Sequence, residues 1–232
     1  ATKLAGEMGD QYVSLEHILL GLLSVKDPVS GMLKDAGILF LITLVSGLLL
    51  GLVYQVTKEP IAVQEEKARM EARQEVFQDA DHFEDGEGFS EEAAQAVLNE
   101  GGFTQESINE YCAAYDKDGG LLGYVITVTS HEGYGGDIKF TIGVRMDNTL
   151  NGMSILSISE TPGLGMQAEE VLKPQFAGKK AESYVYTKGG ASADNEIDAI
   201  TSATITTNAV TNGVNAGLYY FQTELKGGSG NE

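Results

Sequence analysis

A chain of 232 residues, 42% of them hydrophobic, is long enough for one ordinary core beside a membrane anchor and is too apolar to be a disordered polymer. Its 15 basic residues face 34 acidic ones, and the net charge of −19 excludes a nucleic-acid surface, which needs clustered positive charge. Cys112 is the sole cysteine and His17, His82 and His131 lie far apart, so no intrachain disulfide, dithiol couple or zinc site is expected, and redox chemistry would need a bound cofactor.

In chain order, residues 1–37 form a segment of unclear origin, whose stretch LAGEMGDQYVSLEHILLGLL reads as an amphipathic helix of soluble type. Residues 38–56, ILFLITLVSGLLLGLVYQV, carry no charge and span about 28 Å as a helix, which matches the hydrocarbon thickness of a bilayer and predicts a retained transmembrane helix. Lys26 and Lys34 precede this run while Lys58, Lys67, Arg69 and Arg73 follow it, the reverse of a clean positive-inside pattern, so charge alone leaves the topology open. Stalk and linker are expected over 57–89. Within them, residues 63–77 show i to i+4 charge spacing, as in Glu65 to Arg69, and read as a solvated helix.

A soluble domain is expected over 90–226. Two short helices are read at 91–99 and 105–115, with Ser90 and Thr104 as N-caps. Alternating runs at 121–130, 138–145 and 153–159, then 183–187, predict strands separated by glycine turns. Val210, Val214, Leu218, Phe221 and Leu225 recur at helical intervals and give a last helix one apolar stripe. The fold class is therefore α+β, a mainly antiparallel sheet with flanking helices behind a single transmembrane helix. Neither GxGxxG nor GxxxxGK[ST] occurs, and residues 227–232 read as a flexible tail.

Chemistry concentrates in DAITSATITT, residues 198–207, where five hydroxyls crowd the start of the last helix. Unsatisfied N–H groups and the positive dipole end favour an anion there, although composition alone favours ordinary N-capping by Thr206 or Thr207. Glu160, Thr161, Pro162, Gly163, Leu164 and Gly165 form a rigid turn after a strand, and Gly133-Tyr134-Gly135-Gly136 has the form of a hairpin connection. Gln175, Phe176, Gly178 and Lys179 read as packing rather than chemistry.

The 198–207 segment resembles the flavinylation motif of the FMN-binding domains in Rnf G subunits and in the C subunit of the sodium-pumping NADH:quinone reductase. That resemblance implies covalent FMN, esterified through its phosphate to Thr204, with Asp198, Thr201, Ser202, Ala203, Ile205 and Thr206 in the surrounding motif. Ser202 stands where the family usually has glycine. The ETPGLG turn and the glycine-tyrosine turn also resemble family loops against the flavin, which assigns Glu160, Thr161, Pro162, Gly163, Leu164, Gly165 and Tyr134 to the site. The form of the anchor and the following TKEPI, with the compact spacing, resemble Rnf G subunits more than the longer reductase C subunit. Residues 1–31 resemble a piece of the Clp ATPase N-terminal domain and are taken as fused or misassigned sequence.

The resemblance implies an electron-carrying subunit of an ion-translocating ferredoxin:NAD+ oxidoreductase, with no catalytic residue of its own and electron transfer as its share of the reaction. Partners would be the other Rnf subunits, an FMN transferase during maturation, and membrane lipid. The anchor would cross the cytoplasmic membrane once with the flavin domain outside, against the lysine distribution. A flavin-free membrane-anchored assembly protein is the alternative from another class.

Overall fold

A computed structural model describes residues 1–24 and 28–228; residues 229–232, most of the expected tail, lie outside it. The chain divides into two compact units, Ala1–Gln64 and Glu65–Glu232. In the first, helices α1 (Thr2–Glu7) and α2 (Leu15–Ser24) precede the long helix α3 (Pro28–Val76). Leu15, Ile18, Leu19, Leu20 and Leu22 of α2 are all exposed, while Leu23 is half-buried. The apolar run of α3 reaches a mean hydropathy of 2.5 with none of that window buried, and it is long and apolar enough to cross a membrane. Stalk and span are one helix. Pro60 sits within it just past the apolar run, where a missing N–H removes one backbone bond.

The second unit begins with the last turns of α3 and continues through β1 (His82–Asp85), α4 (Glu91–Glu100), β2 (Glu106–Tyr115), β3 (Leu121–Ser130), β4 (Ile138–Arg145) and β5 (Thr149–Ser157). Next come short helices α5 (Ala168–Val171) and α6 (Lys173–Phe176), strands β6 (Lys179–Lys180), β7 (Val185–Thr187) and β8 (Glu196–Asp198), and α7 (Thr204–Tyr220), which runs on through a π-helical turn Phe221–Leu225 into α8 (Lys226–Gly228). Strands β1 to β6 form one antiparallel sheet in sequence order, and β7 pairs with β8 in parallel as a separate ribbon.

Pleating sends alternate side chains to opposite faces. Ile126, Val128, Ile138, Phe140, Ile142 and Val144 face α7, whose Val210, Val214, Leu218 and Phe221 close the main core. The opposite face receives the end of α3, where Val76 and Phe77 pack with Cys112, Ala114 and Val125. The approach is close, since a Cβ at Gly143 would lie 2.9 Å from the Val76 carbonyl oxygen. Polar anchors complete the seam: Arg73 pairs with Asp85 at 2.8 Å, Arg69 with Glu110 at 3.2 Å, and Glu75 with Lys173 at 2.6 Å.

The expected strands 121–130 and 138–145 appear as read, the third lies at Thr149–Ser157, and the fourth shrinks to β7 in the separate ribbon. Ser90 caps α4 by accepting the Ala93 N–H. Residues 105–115 are not a helix but strand β2, and Thr104 caps nothing. The cause is a β-bulge between Ile108 and Glu110. One extra residue reverses the alternation, so Ile108 and Tyr111 face α7 at a three-residue interval that imitates a helical repeat. The acidic stretch expected as linker supplies β1.

Candidate functional site

Helix α7 starts at Thr204 with Ala203 as its N-cap, and no side chain caps it. Neither Thr206 nor Thr207 plays the ordinary capping role. Thr207 is buried and points backward: its Oγ1 accepts the Ile200 N–H at 3.1 Å and donates to the Ala203 carbonyl at 2.9 Å. These bonds close the turn before the helix, and Ser202 within it adopts φ 62°. A left-handed residue is required here, which gives the glycine of the resembled motif a conformational reason. The first-turn N–H groups, free of side-chain caps, leave a positive helix end beside the half-buried Thr204.

The loop after β5 packs on this helix start. A Cβ at Gly165 would lie 2.5 Å from Thr206 Oγ1 and 2.7 Å from the Glu160 Cβ, so only glycine lets the loop and α7 meet. That close approach is between protein elements. Gly163 takes φ 75° in the same turn, and the Leu164 and Met166 N–H groups both donate to the Thr161 carbonyl. Glu160 is buried, and its Oε1 accepts the Gly135 N–H at 3.3 Å, tying this loop to the β3–β4 connection.

Between the two loops and the start of α7 opens a cavity of about 500 Å³, lined by Tyr134, Glu160, Thr161, Leu164, Gly165, Ser202, Ala203, Thr204, Ile205 and Thr206. Every one belongs to the set expected from sequence, whereas Pro162, Gly163, Asp198 and Thr201 do not line it. The volume falls within the ordinary range for small-ligand sites. Tyr134 is 71% exposed and Ile205 52%, so the rim is apolar and open to solvent. Among the described residues, no lysine or arginine lines the cavity. An anionic group held there would rely on helix N–H groups and hydroxyls, while Tyr134, Leu164 and Ile205 offer apolar surface to a planar ring.

Phe176, expected as packing, is buried with its ring 5.2 Å from Tyr184 in an edge-on arrangement. Sequence reading missed the role of its neighbour Gln175, which bonds the backbone of Asp198. A lone glutamine gives no sequence signal of backbone partners 23 residues away.

The FMN-binding domain family matches residues 133–219, and the RnfG N-terminal region family matches residues 30–76. The G subunit of the Na(+)-translocating ferredoxin:NAD(+) oxidoreductase complex of Acetobacterium woodii is 35% identical over 189 residues, covering 80% of this chain and 89% of that protein. The G subunit of the proton-translocating ferredoxin:NAD(+) oxidoreductase complex of Clostridium ljungdahlii is 31% identical over 189 residues, covering 78% and 90%. A shorter match, 68% identical over 37 residues, covers 16% of this chain and 4% of the chaperone protein ClpB of Bacteroides thetaiotaomicron. With the anchor helix, the antiparallel sheet and the cavity at the start of α7, these likenesses show that the chain belongs to the family of G subunits of ion-translocating ferredoxin:NAD+ oxidoreductase (Rnf) complexes.

Proposed function

We propose that this chain carries FMN esterified through its phosphate to Thr204 and passes electrons within an Rnf-type ion-translocating complex. The observation that carries the reading is the position of Thr204: it opens α7 at the cavity wall, behind the left-handed turn at Ser202 and beside N–H groups without a side-chain cap. Thr204 would hold the phosphate, the first turn of α7 would stabilise its charge, and Tyr134, Leu164 and Ile205 would flank the ring. A bound flavin supplies one-electron transfer, and the protein fixes its position and potential. Thr201 and Asp198 lie outside the cavity lining and would serve recognition by the FMN transferase.

The other subunits of the complex are the partners, and lipid surrounds the uncharged run of α3. The domain after that run faces away from the cytoplasm. From Thr57 onward the chain has 12 basic and 29 acidic residues, and long acidic domains translocate with little regard to flanking lysines. Residues 1–31 belong to a Clp-like piece with no part in this function, a reading supported by the 37-residue likeness to ClpB.

Intact mass of the purified chain tests the cofactor: one FMN less a water is expected, with a fluorescent band after denaturing electrophoresis. Thr204→Val should abolish both while the fold persists, and a retained adduct would refute the assignment. Protease added to intact spheroplasts should digest the domain; digestion only in inverted vesicles would overturn its location.

A further inference from the structure

Gln175 lies in α6, outside the cavity, yet its side chain grips the first residue of the modification motif. Its Oε1 accepts the Asp198 N–H at 2.6 Å, and its Nε2 donates to the Asp198 carbonyl at 3.1 Å and to the Val171 carbonyl at 2.7 Å. A primary amide has two N–H donors and one carbonyl acceptor, so both kinds of group are engaged. Toward Asp198 the carboxamide behaves as one residue of an extra strand, on a ribbon whose other strand is β7. Lys179 adds a second grip on β8, donating from Nζ to the Glu196 carbonyl at 2.7 Å.

Beyond Asp198 the chain must reach Thr204 through an exposed turn with a left-handed residue in it. Thr207 holds the downstream end of that turn through Ile200 and Ala203. The upstream end is held at Asp198 by Gln175, by the Ala191 N–H donating to Asp198 Oδ1 at 2.7 Å, and by the following Ala199 N–H donating to the Thr187 carbonyl at 2.9 Å. We infer that Gln175 is a positioning residue for the modification of Thr204: it presents the 198–204 segment in one conformation to the transferase. The inference rests on the proposed ester at Thr204. In that step the Thr204 Oγ1–phosphorus bond forms, the P–O–P bond of a flavin adenine dinucleotide donor breaks, and AMP and the hydroxyl proton leave. A segment free to wander presents its hydroxyl correctly for only a fraction of the time, and the step slows by that fraction.

The test is the initial rate of flavin incorporation into the full chain in detergent, prepared without flavin and mixed with an FMN transferase and flavin adenine dinucleotide. Gln175→Leu removes the bonds to Asp198 and should slow incorporation about tenfold, a change of about 1.4 kcal/mol in the barrier. Amide exchange of the peptide covering 198–204 should quicken in the same variant, a change that general loss of stability elsewhere would not confine to this peptide. Gln175→Glu keeps the acceptor for the Asp198 N–H but sets a carboxylate against the Asp198 carbonyl, and should be several-fold slow. This variant decides the matter if the leucine variant fails to fold. Gln222→Leu, which loses an exposed bond to the Glu182 carbonyl, should incorporate flavin at the wild-type rate. Wild-type rates in the folded Gln175 variants, with Thr204→Val inert, would overturn the positioning role while leaving the ester in place. Incorporation into Thr204→Val would instead remove the reading on which this inference stands.

Discussion

Glu160 Oε1 accepts the backbone N–H of Gly135 at 3.3 Å, so two loops that are distant in sequence meet at one buried carboxylate on the cavity wall. Glu160→Ala should leave that N–H without its partner and lower stability by about 1–2 kcal/mol, with Glu160→Gln milder because its amide oxygen still accepts. Gly135→Ala should also destabilise, since its Cβ would collide with the Ser159 carbonyl oxygen. Thermal unfolding of the flavin-free chain, followed by near-UV circular dichroism, checks both.

Ser202 pays a Cβ restriction at φ 62° that glycine would not. Ser202→Gly is expected to stabilise the chain by about 1 kcal/mol, offset in part by the added freedom of the unfolded state, and to preserve flavin incorporation. Ser202→Val should lower both stability and incorporation, because a β-branched side chain resists the left-handed region. Urea midpoints and in-gel fluorescence separate the two effects.

Glu106 is 3% exposed, and burial together with the neighbouring Glu132 carboxylate pushes its pKa up to about 7. His131 opposes that rise, with Ser107 and Asp137 as its own partners, while Asn208 and Asn212 of α7 donate to Glu132. The folded state therefore keeps a proton that the unfolded chain releases, and stability should fall as pH rises from about 4.5 to about 7, by on the order of 3 kcal/mol. Glu106→Gln should flatten this slope, matching the wild type near pH 4.5 and exceeding it at about pH 8. Urea midpoints at those pH values would disprove the assignment if the two proteins declined in parallel.

Arg73 reaches Asp85 at 2.8 Å and Glu110 at 3.6 Å from an almost fully buried position on the last turns of α3. Arg73→Ala should cost about 2 kcal/mol, less than a fully buried pair because Asp85 is exposed and Arg69 remains on Glu110. Double substitution with Asp85→Ala should fall short of the sum of the single losses if the pair is coupled. Chemical unfolding of the four proteins gives the coupling directly.

What was legible in the sequence follows from where its information is local. The strand at 121–130 shows alternation because nothing interrupts its pairing with β4 from Gly123↔Arg145 to Ser130↔Ile138. β2 hid behind its bulge, which turned a two-residue repeat into a three-residue one. The residues that line the cavity lie in short contiguous motifs and were assigned through their resemblance to family loops, whereas composition alone read them as a cap and turns. Gln175 was not legible, since its partners are backbone atoms that any sequence would supply, and only the fold brings them near.

Beyond its first turn, the buried face of α7 is closed by protein. Val210, Val214, Leu218 and Phe221 pack into the main core, and none of them lines the cavity at the other end of the helix. This part of the hydrophobic interior therefore needs no ligand to complete it. If Thr204 carries the proposed flavin, maturation would then be a queue, in which the unloaded subunit stands as a finished substrate, and the supply of flavin would set how many copies are active rather than how many survive.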